Sequence, residues 1–593
     1  MYFCALQKKA MHRKQILIFI FCLLCSRALW AVMAYPYPIE IDLPDGSKLE
    51  IQRHGDEFFN YTTDRSGYII AQKPDGYYYY ANYDEQAKLN ISNYRAGSRA
   101  ARRSAVVPEV NFRRAAQIRS ERYEASRDLI RANAKQAYEG RLKTLVLLVA
   151  FQDKAFVSPT AHDDFNRLSN ELGYSDNGAT GSVRDYYRDN SNGVFDPEFV
   201  VMGPYTLSKP MSYYGGNNEE GNDNDPRRMV IEAAWMANEE GVDFSEFDQN
   251  NDGYVDFIYV YYAGYNEAEG GPAASIWPHS WSVAYMDSTL LDGVKLGYYA
   301  CSSELAGASG STMSAIGTVC HEYGHTLGLM DVYDTDGAES GGMSGGLGAL
   351  SLMSSGNYNN KSRTPPHLTS EERWSLGWMT PTTITEAGDY SLASIDQNQA
   401  YIIPTLNENE YFLLENRQHN NWDLYIKGEG LLIYHVDKSK NMVLGKTALE
   451  RWYTNTVNVY PQHQCMDMEE AVGSESKGDM YAFYPGPSGL YTAFTRTTTP
   501  AALAWSGLPL GKELYDIRLE GQEIHFRVEL EDQVYFGGQV INREGQPVQG
   551  ALLYLKELVE QPVSGNTTGL RSAMHTSGVY YTTTSGIDGR FIF

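Results

Sequence analysis

The sequence predicts a multidomain α+β protein, with an α/β layer in the middle of the chain, a β-rich unit before it and β-sandwich units after it. Three observations predict this. The chain has 593 residues, and at roughly 150 residues per domain that is too long for one core. Its continuous apolar run Thr144-Leu-Val-Leu-Leu-Val-Ala-Phe151 has the form of a strand buried on both faces. Short apolar or aromatic stretches separated by turn residues lie on either side of that middle. A composition of 13% aromatic and 21% charged residues excludes wholesale disorder. The 49 Lys and Arg against 74 Asp and Glu leave a net charge of −25. Such a chain lacks the cation excess that displaces counterions from phosphates, so no nucleic-acid partner is expected.

The elements follow in chain order. Over residues 1–34, Lys8, Lys9, Arg13 and Lys14 precede an apolar run at 16–24, and Ala28, Ala31 and Ala34 follow, which is the order of a secretory signal peptide cut near Ala34. The apolar run is about half of the roughly 20 residues that a span requires. No stable membrane span is therefore expected after its removal, and the predicted location is secreted and extracellular, with cell-surface association as the variant. Loss of that segment removes Cys4, Cys22 and Cys25 and leaves Cys301, Cys320 and Cys465, an odd number that allows at most one bridge. Cys301 and Cys320 are the pair close in sequence, and a buried free thiol at Cys320 has equal weight.

Residues 35–95 alternate short strands with turns at Pro44-Asp45-Gly46, Arg65-Ser66-Gly67 and Pro74-Asp75-Gly76, as in a β-meander. Residues 96–142 form a composition boundary: from Arg95 to Lys143 there are 13 basic residues against five acidic ones. This reads as an Arg-rich helical linker, as an exposed segment cut during maturation, or as both. Residues 143–380 combine the apolar strand with helical periods around 182–187 and 229–238. Short strands such as 399–404, 410–415 and 430–436 then predict a β-sandwich over 381–532. Residues 535–593 read as a last small β unit that stops on a strand, as a truncated unit would.

The chemistry is concentrated in Cys320-His321-Glu322-Tyr-Gly-His325-Thr-Leu-Gly328-Leu-Met-Asp331. On a helix, His321 and His325 lie one turn apart on one face, so both imidazoles reach one Zn²⁺, with Glu322 beside them as a base for a water molecule. Gly328 permits the positive φ with which a helix ends and the chain turns back. A catalytic zinc takes three protein ligands and keeps one open position. Asp331 is the natural third ligand, with Asp334, Glu371 and Glu372 as competitors. A second constellation, Asp248-Gln-Asn250-Asn-Asp252-Gly-Tyr254-Val-Asp256, follows the opening of a calcium loop. Side chains of Asp248, Asn250, Asp252 and Asp256 and the Tyr254 position are the candidate Ca²⁺ ligands, although Tyr259 stands where such loops carry a bidentate Glu. His279, His367 and His435 have no ligand spacing to a partner and read as packing or surface residues.

The motif from His321 to Asp331 resembles that of the metzincin-like zinc metallopeptidases of the bacterial immune inhibitor A family, H-E-x-x-H-x-x-G-x-x-D. The blocks Ser182-Val-Arg-Asp-Tyr-Tyr-Arg-Asp-Asn-Ser191, Glu410-Tyr-Phe-Leu-Leu-Glu-Asn-Arg417 and Gly430-Leu-Leu-Ile-Tyr-His-Val-Asp437 are similar to it too. The resemblance implies a zincin-type catalytic domain over 143–380. It implies a methionine turn at Ala349-Leu-Ser-Leu-Met353-Ser-Ser-Gly356, with Met353 beneath the metal, and a possible oxyanion donor in Tyr358, whose spacing departs from the usual two residues. Residues 35–95 look like a pro-region; having no cysteine, they exclude a thiolate-on-zinc latency switch. The tail is similar to a carboxypeptidase regulatory-like domain that binds a surface or partner. The resemblance thus implies a secreted zinc endopeptidase made as a zymogen, with protein or peptide substrates. The alternative is an inactive or narrow-specificity adhesin or binding protein on the same scaffold, against which the intact Glu322 argues.

Overall fold

The computed structural model describes residues 29–30, 33–97 and 138–592, apart from 57–59, 84–87, 219–221, 285, 287–289, 338–339, 474–478, 531–536, 544–545, 560–574 and 586–589. The expected signal segment falls outside the described residues except at 29–30 and 33–34, and so does nearly all of the Arg-rich segment, 98–137.

The chain is mixed α/β, with many strands and few helices. Its central sheet runs in the order Leu29–Trp30, His279–Ser282, Tyr298–Ser303, Ile258–Tyr262, Lys143–Ala150, Glu198–Thr206. The last four strands are mutually parallel, and His279–Ser282 is antiparallel to Tyr298–Ser303. Thr144 to Ala150 is buried at every position, because helices cover both faces of this parallel core. One face carries Pro226–Glu239, which buries Met229, Val230, Ala233 and Ala237. The other carries Ala161–Asn170, Val183–Asn190 and Ile316–Thr326. Val183–Asn190 starts at a capping box in which Ser182 and Asp185 each satisfy the other's backbone N–H.

C-terminal to this layer, a five-stranded sheet (Thr382–Thr383, Tyr401–Pro404, Glu410–Arg417, Gly430–Asp437, Met466–Met468) packs on a three-stranded one (Gly388–Leu392, Glu523–Leu530, Lys512–Glu520). The alternation of side chains across a strand decides which core each residue joins. Phe412, Leu414, Leu431 and Ile433 point between the two sheets. Leu413, Leu432, Tyr434 and Val436 point the other way, into the core that also holds Val319, Tyr323, Leu352 and Met353. The β region is thus fused to the α/β layer across position 380.

At the N-terminal end, six strands from Ile39–Asp42 to Leu89–Arg95 form an antiparallel sheet in sequence order. Its own small core is Ile39, Ile41, Leu49, Ile51, Ile70, Tyr78 and Tyr80. The tail forms two two-stranded ladders, Gly537–Gln539 with Arg590–Ile592 and Leu552–Val559 with His575–Thr584. Among the described residues, no helix is long and apolar enough to cross a membrane. Cys301, Cys320 and Cys465 are all buried free thiols, so the expected option of a Cys301–Cys320 bridge is not realised.

Candidate metal centre

Helix Ile316–Thr326 is buried at every residue, so its two histidines and one glutamate require partners other than solvent. Two glycines let it seat that deeply. A Cβ on Gly317 would stand 1.9 Å from the Asn357 carbonyl oxygen, and one on Gly324 would stand 3.1 Å from the Met353 sulfur. The helix therefore rests directly on the turn that carries Met353 and Tyr358. At its end Gly328 takes φ +96° with open space around its Cα, so glycine is needed there for backbone conformation. The chain then folds back, and the Val332 N–H donates to the Met353 carbonyl at 2.9 Å.

This return brings His321, His325 and Asp331 together, all fully buried. Nδ1 of His321 lies 2.8 Å from the Leu352 carbonyl, and Nδ1 of His325 lies 2.9 Å from that of Leu329. Each bond requires an Nδ1–H and leaves Nε2 as the metal-binding nitrogen. The two Nε2 atoms are 3.1 Å apart, and Asp331 Oδ1 is 3.3 and 3.4 Å from them. For bonds of about 2.0–2.1 Å to zinc, the edges of a tetrahedron are about 3.3–3.4 Å; the two distances to Asp331 match this and the distance between the imidazoles is slightly shorter. Asp331 Oδ1 accepts no hydrogen bond although it is buried, as suits an oxygen reserved for a cation. Burial pushes the Asp331 carboxyl up, but His325 and His321 more than reverse this and hold it well below the usual carboxylate range. At His321 burial opposes the charged form and Asp331 outweighs it, whereas at His325 burial prevails and the pKa falls. The donor set of two imidazoles and one carboxylate is that of a catalytic zinc site.

The competing carboxylates are engaged elsewhere. Asp334 accepts the N–H groups of Ser344 and Asp336. Glu371 accepts from the Tyr411 hydroxyl at 2.7 Å and pairs with Lys438. Glu372 accepts from Ser351 Oγ at 2.7 Å, and that Oγ accepts the Met353 N–H at 3.0 Å. Glu372 thus acts at one remove, by setting the turn whose Leu352 carbonyl orients His321. Its place three residues after Thr369 in a capping box shows only the helix start, so sequence reasoning misses this second duty. Glu322 lies fully buried beside the imidazoles. Tyr358 is buried, its hydroxyl donates to the Met33 carbonyl at 2.8 Å, and its ring meets that of Tyr35 edge-on at 5.2 Å. Burial first, with Glu269 and Glu322 adding to it, pushes the Tyr358 phenol well above its ordinary pKa.

In the loop from Asp248 to Asp256, the carboxylates turn onto the loop's own amides. Asp248 accepts from Asp252 and Gly253, Asn250 from Asp252, and Asp252 from Tyr254. Asp256 accepts from Gln249 N–H and Asn250 Nδ2, and burial raises its pKa to about 6. His279 is a satisfied core residue, bonded to the Trp277 carbonyl and the Tyr299 hydroxyl. His435 is buried inside the β region, where it contacts Glu410 at 2.9 Å and Glu469 at 3.5 Å.

Residues 133–376 match the family described as immune inhibitor A peptidase M6, catalytic domain. The chain is 29% identical over 264 residues to the pre-pro-metalloprotease PrtV of Vibrio cholerae serotype O1 (strain ATCC 39315 / El Tor Inaba N16961), covering 37% of this chain and 28% of that protein. It is 29% identical over 270 residues to Immune inhibitor A of Bacillus thuringiensis subsp. alesti, covering 38% of this chain and 39% of the relative. The alignments thus span well under half the length of either relative. His321, His325 and Asp331, which together could hold a metal ion, all lie inside the segment that matches the immune inhibitor A peptidase M6 catalytic domain.

Proposed function

We propose that this chain is a secreted zinc-dependent endopeptidase made in latent form, acting on protein or peptide substrates. The observation that carries the reading is the convergence of His321 Nε2, His325 Nε2 and Asp331 Oδ1 at 3.1–3.4 Å. Zinc, when bound there, supplies Lewis acidity that polarises a peptide carbonyl and lowers the pKa of a water molecule. Glu322, adjacent to the first ligand, takes the proton of the attacking water on its carboxylate and returns it to the leaving amine. Met353 forms the apolar floor beneath the helix. Tyr358 donates its hydroxyl to the developing oxyanion once the N-terminal strand has left it.

Latency is supported by the same tyrosine. Residues 35–95 are the pro-region in this reading, and Tyr35, Pro38 and Ile39 form one wall of a cavity of about 410 Å³ whose other walls include Thr318 and Tyr358. A cut in the Arg-rich 96–142 segment would separate this sheet from the catalytic region. Signal removal after Ala34 takes Met33 from Tyr358 but leaves the Tyr35 ring against it. Two further parts of the proposal rest on sequence pattern: calcium at Asp248–Asp256, and a surface or partner for the tail at 535–593. Calcium-dependent protection of the 248–256 loop from proteolysis tests the former.

The central test is casein hydrolysis by the chain lacking residues 1–34, with zinc removed and restored and with Glu322→Ala in parallel. Activity is expected to require zinc and to fall roughly 10²–10⁴-fold in the variant. A wild-type protein that binds zinc but stays inert after limited trypsin treatment would overturn the endopeptidase reading.

A further inference from the structure

We infer that Asn455, which lies outside the matched 133–376 segment, is a positioning residue for the zinc site: it holds the Asp331 carboxylate so that one oxygen faces the two imidazoles. This rests on the reading of Asp331 as a ligand. The geometry is a closed pair of bonds. The Asp331 N–H donates to Asn455 Oδ1 at 2.6 Å, and Asn455 Nδ2 donates to Asp331 Oδ2 at 2.6 Å. The backbone N–H can only donate, so the amide has one allowed orientation, and its NH₂ group necessarily faces the carboxylate. Oδ2 is thereby occupied, and Oδ1 is the oxygen left toward His321 and His325. Hydrogen bonds of this kind to ligating carboxylates set both their orientation and their affinity for the ion.

Asn455 is itself fixed. It is 2% exposed and adopts φ +48°, a left-handed conformation that Asn tolerates better than most residues. The Thr335 hydroxyl donates to its carbonyl at 3.0 Å, which ties it to the same returning loop that carries Asp331. Three residues on, Asn458 Nδ2 donates to the Val332 carbonyl at 2.9 Å, and the Ser344 hydroxyl donates to the Asn458 carbonyl. Asn458 therefore clamps the same loop without touching a ligand side chain. The catalytic site is completed by the β region, and the neighbouring Asn458 supplies an internal control.

The test compares zinc affinity, measured by competition with a chromophoric chelator, in the full chain and in Asn455→Gly, Asn455→Asp, Asn458→Ala and Asp331→Ala. Glycine keeps the positive φ while deleting the amide. Aspartate keeps the shape and the acceptor for the Asp331 N–H but sets a second carboxylate against Oδ2. Both Asn455 variants are expected to weaken zinc binding about 10–100-fold and to alter the visible absorption of the cobalt-substituted protein. Asn458→Ala is expected to lower the melting temperature and leave both readouts unchanged. Unchanged zinc affinity in either folded Asn455 variant, with Asp331→Ala strongly impaired, overturns the positioning role and leaves the ligand assignment standing. Unchanged affinity in Asp331→Ala overturns the ligand assignment itself. Equal losses in the Asn455 and Asn458 variants would reduce Asn455 to a structural clamp and also overturn the inference.

Discussion

The N-terminal sheet meets the α/β layer through a few polar groups and a small apolar contact, whereas the C-terminal sheets meet it through a large shared interior. Arg53 reaches the Gly271 carbonyl at 3.1 Å, the Ala273 N–H donates to Gln72 at 3.3 Å, and the Tyr35 N–H donates to the Ala268 carbonyl at 3.0 Å. The apolar core of that sheet is largely its own, with Ala308 of the layer packed against it. On the other side, Leu413, Leu432 and Val436 lie in one cluster with Val319 of helix Ile316–Thr326 and Met353 of the turn beneath it. Arg417, fully buried, bridges Asp423, Glu415 and the Leu350 carbonyl just ahead of the methionine turn. The first attachment is small and largely polar, and the second joins two sheets and the α/β layer through one apolar cluster.

The largest expected effect follows from that difference. Ending the chain at residue 380 exposes, among others, the surfaces that pack on Leu413, Ile426, Leu432, Val436, Val457 and Met466. At roughly 1.5–3 kcal/mol per buried side chain, the loss is on the order of 10 kcal/mol, comparable to the whole stability of a typical domain. Such a truncation is expected to show no cooperative thermal transition, while a chain starting at 138 keeps one. A cooperative transition in the first would break the comparison. Single substitutions sharpen it. Arg417→Met leaves Asp423 and Glu415 buried without their cation and is expected to cost about 3–5 kcal/mol. Arg53→Met loses bonds to Thr62 and Gly271 and is expected to cost about 1–2 kcal/mol. Urea midpoints at neutral pH measure both.

The parts of the molecule that were legible in the sequence are those encoded by local spacing. His321 and His325 follow from one helical turn, and the route to Asp331 follows from a glycine at the helix end. The buried strand at 143–150 follows from an apolar run that no one-sided sheet needs. Asn455 was not legible, because it acts across 124 residues and sits among polar residues that read as a turn. Arg417, Glu415 and Asp423 gave no sign of full burial, since charged residues in a strand ordinarily mark its solvent face. The ion pairs of His435 were not legible either, since its partners lie 25 and 34 positions away, on other strands and loops. Such polar pairings join residues far apart in the chain, and no local pattern announces them.

Titration acts on both the N-terminal seam and the interior of the β region. Burial raises the Glu267 pKa from 4.5 to about 7, with Arg53 opposing, and Glu267 lines the seam with the N-terminal sheet. An acid with a raised pKa binds its proton more tightly in the docked state, so docking weakens as pH rises from 4.5 and the full cost is reached above about 7. That cost is up to roughly 3 kcal/mol. His435 is held up to about 9: burial lowers it, but Glu410 and Glu469 overcome that. Its contribution is complete below 6.5 and is lost as pH rises through 9. Between pH 6 and pH 8 the N-terminal sheet is therefore expected to become markedly easier to release by limited trypsin, and the β region to lose part of the His435 contribution over the same interval. Release that speeds up toward acid pH would reverse the assigned sign.

The smallest expected effect concerns the Tyr358 hydroxyl at the N-terminal attachment. In the chain that retains Met33, Tyr358→Phe removes a single bond to a carbonyl and keeps the edge-on contact with Tyr35. Docking of the N-terminal strand is expected to weaken by about 0.5–1.5 kcal/mol, seen as an increase of roughly 2–10-fold in the rate of trypsin release. After the N-terminal sheet has been removed, the same substitution no longer has a docking bond to lose. If the hydroxyl then serves the oxyanion, kcat falls while KM holds, because the lost interaction belongs to the transition state. If it serves docking alone, the processed variant and the processed wild type hydrolyse casein at equal rates. Measuring the variant before and after processing thus separates a bond that restrains the enzyme from one that works in it.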